Sequence, residues 1–183
     1  MLRVELTYNR DPFALVVRQA EVMLGQGGTR RPAASHVRIV RRWGNQRLMH
    51  YQGCESTPRT GVHMYDPHTM HDDCRVYVIH CTSHQERVVW QFLERMRGHP
   101  YSWRAVLRAF WWGLTGQRDR FYGDPRGRFD CATLVLAALR SAEIDPCPGV
   151  GMNDVSPALL EEGMRRLCAA WADKHRAAQR TTG

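Results

Sequence analysis

Two residues far apart in this chain of 183 residues are of types that can work together in nucleophilic catalysis, a cysteine and a histidine. Cys131 stands in Phe129-Asp-Cys-Ala-Thr-Leu-Val, whose apolar spacing predicts a helix with Cys131 in its first turn and Asp130 as N-cap. His36 stands in Ser35-His-Val-Arg-Ile-Val, whose alternation predicts a strand. A cysteine attacks as the thiolate, which a helix N-terminus and a nearby histidine favour. Cys131 is therefore a candidate nucleophile, with a buried structural cysteine as the alternative.

The elements that must position these residues follow from hydrophobic spacing and from helix start and stop signals. The predicted helices are 12–24, 85–97, 101–114, one that begins near Cys131, and one from Ser156 to about Trp171. The predicted strands are 35–41, 46–51 and 76–80, and residues 116–128 are predicted to form a loop. We expect a single domain over residues 1–175, followed by a disordered tail at 176–183, because no linker or internal repeat divides the chain.

The order of these features resembles a known family. A helix, then Ser35-His-Val-Arg-Ile-Val, then Phe129-Asp-Cys-Ala-Thr-Leu-Val, then Ser156-Pro-Ala-Leu-Leu resembles the circularly permuted papain-like amidases of the NlpC/P60 superfamily, which include the YiiX-like and YaeF-like proteins. The resemblance implies an α+β fold, in which an antiparallel sheet packs against helices and the nucleophile lies at a helix N-terminus. It also implies that His36 is the base of Cys131, although it precedes the cysteine in the chain.

The resemblance implies further site residues. A third polar group should orient the imidazole from the strand after the histidine strand, and the matching position is His50, with Glu55 and Gln52 as alternatives if the register differs. Tyr101 resembles a tyrosine that lies between the two halves of these proteins, where it either lines the cleft or packs as an ordinary aromatic residue. The backbone amide of Cys131 is the natural donor to an oxyanion.

The sequence departs from the family pattern at two places. Ala132 and Thr133 follow the nucleophile where the relatives often have serine and an acidic or small residue. Arg38 replaces the usual glycine on the histidine strand, which predicts either an altered preference for substrate charge or a side chain that faces solvent.

A second cluster of potential ligands competes with the cysteine-histidine pair. It contains the imidazoles and thiols of His63, His68, His71, Cys74, His80, Cys81 and His84. Their spacing matches no standard zinc site, so we interpret residues 65–73 as a polar turn and expect no metal or other cofactor. The six cysteines are irregularly spaced and form no CxxC pair, so we expect mostly free thiols.

The formal net charge of +8 favours anionic partners such as cell-wall polymer or lipid headgroups. No nucleic-acid-binding motif accompanies the charge, so no specific nucleic acid is expected. The first residues lack the apolar core of a signal peptide, and we expect a protein that is cytoplasmic as synthesised, with delivery to the cell envelope by another route left open.

Three functions remain open from the sequence. The first is a cysteine peptidase or amidase that cleaves an amide bond through a thioester, in peptidoglycan stem peptides or another peptidic or acylated small substrate. The second is lipid acyl transfer or hydrolysis, as in the lecithin:retinol acyltransferase-like branch, with the aromatic segment 103–112 on a membrane surface. The third is a non-catalytic binding or structural module, such as part of a phage particle or secretion apparatus.

Overall fold

The structure, a computed structural model, describes residues 2–8, 34–44, 49–67, 74–103, 107, 127–152 and 154–181. Its strands are β1 (Leu2–Thr7), β2 (His36–Gly44), β3 (Met49–Thr57), β4 (Gly61–Tyr65) and β5 (Cys74–Ile79). Its helices are α1 (Ser83–Met96), α2 (Cys131–Ser141) and α3 (Pro157–Thr181). This part of the chain is therefore α+β, with one five-stranded antiparallel sheet and three helices.

The strands are arranged in the order β4-β3-β2-β1-β5, and each neighbouring pair is antiparallel. A short turn joins β3 to β4 and ends at Gly61, whose φ of +66° is one that residues with a side chain rarely adopt. A Cβ at Gly61 would lie 2.3 Å from the carbonyl oxygen of His99. Glycine is therefore required where this turn meets the chain that follows α1.

Alternation along the strands gives the sheet two different faces. The apolar face carries Leu2, Val4, Leu6, Val37, Ile39 and Cys54, all with no exposed surface. These residues form one core cluster with buried residues of the three helices. The polar face carries Glu5, Arg38 and Glu55, which occupy the intervening positions. Because burying a leucine or valine contributes about 1.5–3 kcal/mol, the apolar face is the main attachment of the helices to the sheet.

Local signals in the sequence explain where α1 and α2 begin. Thr82 and Gln85 form a capping box before α1, and Asp130 and Thr133 form one at the start of α2. Helix α2 is buried along most of its length and contacts both β2 and β3. Helix α2 therefore packs across the two strands that carry His36 and Glu55.

Several elements differ from the sequence-based expectations. The strand predicted at 46–51 is β3, which runs from Met49 to Thr57 and so lies further along the chain. The sequence did not predict β1 and β4. Helix α3 continues to Thr181, where the sequence predicts a disordered tail from residue 176.

The predicted helix at 12–24 lies outside the described residues. So do most of the predicted helix at 101–114, of which 101–103 and 107 are described, and most of the loop at 116–128. Among the described residues, no helix is long and apolar enough to cross a membrane.

Candidate active site

The Cys131 side chain lies at the first residue of α2, and it is 5% exposed. Asp130 Oδ1 accepts a hydrogen bond of 2.8 Å from the Thr133 backbone N–H, and Asp130 N–H donates to Thr133 Oγ1 at 3.0 Å. These bonds fix the first turn, and they place Cys131 at the N-terminus of the helix. The N–H groups of a helix N-terminus stabilise negative charge.

A buried serine connects the start of α2 to the sheet. Ser56 Oγ, near the end of β3, donates a 2.7 Å hydrogen bond to the carbonyl oxygen of Phe129, two residues before Cys131. The same oxygen accepts a 3.1 Å bond from the backbone N–H of Ser102. The segment that carries Cys131 is therefore attached to the end of the sheet at which β2 begins and β3 ends. The sequence analysis did not identify this role for Ser56.

His36 is the first residue of β2 and contacts both Cys131 and Glu55. Its Nε2 lies 2.8 Å from Glu55 Oε2. Burial alone lowers the pKa of His36, but electrostatic interaction and a hydrogen bond with the Cys131 side chain, and then the same two interactions with Glu55, raise it by more. The net pKa of His36 therefore lies above the usual value, so the site favours a protonated imidazole.

Glu55 occupies a half-buried position on β3, where it meets two histidines. His36 contacts one carboxylate oxygen, and His63 Nε2 lies 3.4 Å from the other, Oε1. Burial raises the pKa of Glu55, whereas the hydrogen bond and charge of His36, and then the charges of His63 and Arg38, lower it by more. The net pKa of Glu55 lies below its usual value, so the side chain is a carboxylate at neutral pH.

The structure does not bring His50 to this site, although the sequence analysis preferred it as the third group. His50 pairs across the strands with Trp43, seven residues along β2 from His36, which is roughly 23 Å at the rise of a strand. Gln52, the other alternative, accepts hydrogen bonds from Arg41. The preference for His50 was wrong because β3 begins later in the chain than predicted. The actual register places Glu55 beside His36.

Arg38 is buried, contrary to the expectation that a cation on this strand faces solvent or the substrate. Its Nε lies 2.7 Å from Glu5 Oε2, and its guanidinium carbon lies 5.5 Å from the centre of the Tyr65 ring. A Cβ at residue 53 would lie 2.3 Å from Tyr65 Cζ, so the tyrosine ring occupies space that only Gly53 leaves open. Arg38 therefore belongs to the buried polar face, where it contributes positive charge near Glu55.

Tyr101 is 6% exposed, and its backbone pairs with that of Phe129, two residues before Cys131. Burial raises the pKa of Tyr101, and the negative charges of Cys131 and Asp130 raise it further. The side chain is therefore a neutral phenol in the neighbourhood of Cys131. This position is compatible with the cleft-lining role considered for Tyr101.

The described histidines of the alternative metal cluster have different partners and do not converge on one site. His63 contacts Glu55, His80 stacks on Trp171, and His84 contacts Arg87. His68 and His71 lie outside the described residues. Within the described ranges, no group of three or more potential ligands could hold a metal ion. All six cysteines are described, and each is a free thiol.

In comparisons with known proteins, no family model matches this chain, and no curated protein matches it.

Proposed function

We propose that the protein is a cysteine hydrolase that cleaves an amide bond with Cys131 as nucleophile, His36 as base and Glu55 as orienting carboxylate. One observation carries this proposal: His36 interacts with the Cys131 side chain, and its Nε2 is hydrogen-bonded to Glu55 at 2.8 Å. A nucleophile, a base and a group that orients the base, in that order of contact, form the basis of triad catalysis.

The reaction follows from these contacts. The Cys131 thiolate forms a bond to the carbonyl carbon, and the negative oxygen accepts a hydrogen bond from the Cys131 backbone N–H. The carbon–nitrogen bond then breaks, and the proton on His36 passes to the leaving amine, which gives a thioester. Water attacks the thioester, His36 takes its proton, and the thiolate leaves with release of a carboxylic acid. Glu55 stabilises the imidazolium throughout and does not itself transfer a proton.

A permuted papain-like fold is part of the proposal. Three observations support it: an antiparallel sheet, a cysteine at the N-terminus of a helix packed on that sheet, and a histidine on a strand that precedes the cysteine in sequence. The resemblance to the NlpC/P60 superfamily supplies peptidoglycan stem peptides as the substrate class to test first. Other peptidic or acylated small substrates follow, because the residues themselves define only the chemistry.

The reactivity of the cysteines tests the proposal without a known substrate. We expect iodoacetamide to modify Cys131 faster than Cys74 at about pH 6, because burial raises the pKa of Cys74, whereas His36 contacts Cys131. His36→Ala should slow the modification of Cys131, whereas His50→Ala, a change on the neighbouring strand, should not.

Mass spectrometry after short reaction times measures each site separately. If Cys131 reacts no faster than Cys74, or if His36→Ala leaves its rate unchanged, the hydrolase proposal is wrong and a non-catalytic module becomes the better interpretation. If Cys131 is selectively reactive, Cys131→Ala should abolish turnover of any substrate found by screening.

A specific observation also favours a second candidate, lipid acyl transfer or lipid hydrolysis on the same site. Trp103 is 49% exposed and Leu107 is 65% exposed, and the two residues are spaced as neighbours on one helix face. The ring of Trp103 lies 5.7 Å from the ring of Tyr101, whose backbone pairs with Phe129 close to Cys131. An exposed apolar pair beside the site would allow docking on a lipid surface.

Co-sedimentation with vesicles distinguishes the two candidates. For the lipid candidate, the protein binds phosphatidylglycerol vesicles at low salt, and a Trp103→Ser/Leu107→Ser double variant loses that binding. Trp171→Ser is the matched control, since Trp171 is 37% exposed on α3. Absence of binding, or equal loss in the control, would contradict the lipid candidate.

A further inference from the structure

We propose that His63 is a positioning residue. It contacts the carboxylate oxygen of Glu55 that His36 does not contact, and so fixes the orientation of the carboxylate towards His36. The inference rests on the proposed function, because it concerns how that site is kept in order. His63 itself acts through Glu55 and takes no part in the proposed reaction.

The sheet places Glu55 between two histidines. Glu55 and His63 are direct partners across β3 and β4 and therefore share a face, whereas His36 approaches from β2 on the other side. His36 Nε2 is 2.8 Å from Oε2, and His63 Nε2 is 3.4 Å from Oε1. The terminal torsion of a glutamate is soft, so one contact leaves the carboxylate plane free to turn. A contact on each oxygen defines that plane.

The contacts on the far side of His63 determine which forms of the ring can direct a proton at Glu55. Its Nδ1 lies 2.8 Å from Thr60 Oγ1 and 3.2 Å from the carbonyl oxygen of Gly61. If Thr60 donates to Nδ1, the imidazole carries its proton on Nε2, which faces Glu55. If Nδ1 donates instead, as a hydrogen bond to the Gly61 carbonyl requires, the ring has a proton on Nε2 as an imidazolium. Only the neutral ring with its proton on Nδ1 would direct a lone pair at the carboxylate, and that arrangement is repulsive.

The other charged groups near Glu55 cannot replace His63. Arg38, on β2, acts on Glu55 through its charge but is hydrogen-bonded to Glu5 of β1. Cys131, on α2, interacts with His36 and reaches Glu55 only through it. Among the described residues, His63 is therefore the group in contact with the oxygen that His36 does not use. The side chain is 31% exposed on the edge strand β4, so substitutions there should be tolerated by the fold.

The test is a double-mutant cycle on the alkylation rate of Cys131, with Cys74 as internal reference. His63→Leu removes the contact, and His63→Gln keeps an N–H at nearly the position of Nε2. We expect His63→Leu to slow the alkylation of Cys131 about twofold to fivefold near neutral pH. An effect of this size is typical of the loss of a partly exposed ion contact. His63→Gln should restore most of the rate. In a Glu55→Gln background, His63→Leu should have no further effect, since it acts through Glu55.

The outcomes separate this inference from the proposed function. A Cys131 that is not selectively reactive in the wild-type protein overturns the proposed function, and this inference with it. Two outcomes overturn only the role of His63 when Cys131 is selectively reactive. In one, His63→Leu leaves the alkylation rate of Cys131 unchanged. In the other, His63→Leu slows alkylation as much in the Glu55→Gln background as in the wild-type background. Nitrogen NMR of the wild-type rings gives an answer that needs no variant: a neutral His63 with its proton on Nδ1 would also overturn it.

Discussion

The two faces of the sheet are buried by different means. On the apolar face, Val4, Leu6 and Ile39 belong to the core that the sheet shares with the helices. On the polar face, the same strands bury Glu5 and Arg38 as an ion pair with 3% and 6% of their side chains exposed. The apolar face is stabilised by the area removed from water, whereas the polar face requires each charge to have a partner.

The apolar face therefore supports the candidate site, and the polar face carries its charged groups. A strand that alternates with period two can hold helices with one face and organise charge with the other. His36 begins the strand whose apolar residues Val37 and Ile39 belong to the core, so a rigid core fixes the position of the imidazole. Changes on the two faces should therefore have effects of different kinds, which the following experiments separate.

The largest effect is expected from breaking the buried pair. Glu5→Gln leaves the Arg38 cation buried beside a neutral group, and we expect the free energy of unfolding to fall by about 3–5 kcal/mol. Arg75→Met is the control, because the pair of Arg75 with Glu161 involves a side chain that is 44% exposed, and its loss should cost about 1 kcal/mol or less. Urea unfolding measures both, and equal losses would contradict the distinction between the buried and exposed pairs.

A change on the apolar face comes next. Leu6→Ala creates a cavity in the core and should lower the free energy of unfolding by about 2–4 kcal/mol. It should leave the pKa of His36 unchanged, because Leu6 contributes no charge to the polar face. Leu107→Ala, at a side chain that is 65% exposed, should change stability by about 0.5 kcal/mol or less. A pKa of His36 that moved with Leu6→Ala would show that the two faces are not independent.

A smaller effect on stability but a clear effect on charge is expected from Glu55→Gln. The carboxylate stabilises the His36 imidazolium, so its removal should lower the pKa of His36. NMR titration of the ring carbons measures the shift. His50→Gln is the matched control and should leave the pKa of His36 in place; a shift in the control variant would restore His50 as the orienting group.

The smallest effect is the dependence of stability on pH. The pKa of Glu55 is lowered in the folded protein, so its contribution to stability is present above its unfolded value of about 4.3 and is lost as the pH falls through the lower folded value. The difference in unfolding free energy between wild type and Glu55→Gln should therefore shrink towards zero below about pH 4. Chemical unfolding at several pH values measures this difference, and a gap that widens in acid would contradict the assignment.

Local signals predicted the beginnings of the helices well, and long-range pairing explains what they missed. The Asp130 cap and the apolar spacing after Cys131 lie within a few residues of each other, and α2 begins where they indicate. Strand β1 alternates as clearly as β2, but its partners are β2 and β5, which are distant in sequence. Nothing local to Leu2–Thr7 shows that this segment lies inside the sheet.

The identity of the group that orients His36 depends on the register of β3, which the sequence does not define. The sequence predicts this strand a few residues too early in the chain, and that position favours His50. A turn signal was present in Pro58-Arg-Thr-Gly61, and a hairpin about that turn pairs Glu55 with His63. The inward position of Arg38 had no such signal, because a cation on a strand is expected to face solvent unless its partner, here Glu5, is known to lie opposite.

The bond from Ser56 to the Phe129 carbonyl has a consequence for the order of events during synthesis. It joins residues 73 positions apart, and the strands that carry His36 and Glu55 leave the ribosome before the helix that carries Cys131. A nascent chain can complete the sheet, with its imidazole and carboxylate, while the thiol of Cys131 is not yet present. Under the proposed function, Cys131 meets its base only when the last core helices dock, so an unfinished chain cannot attack its neighbours through this site.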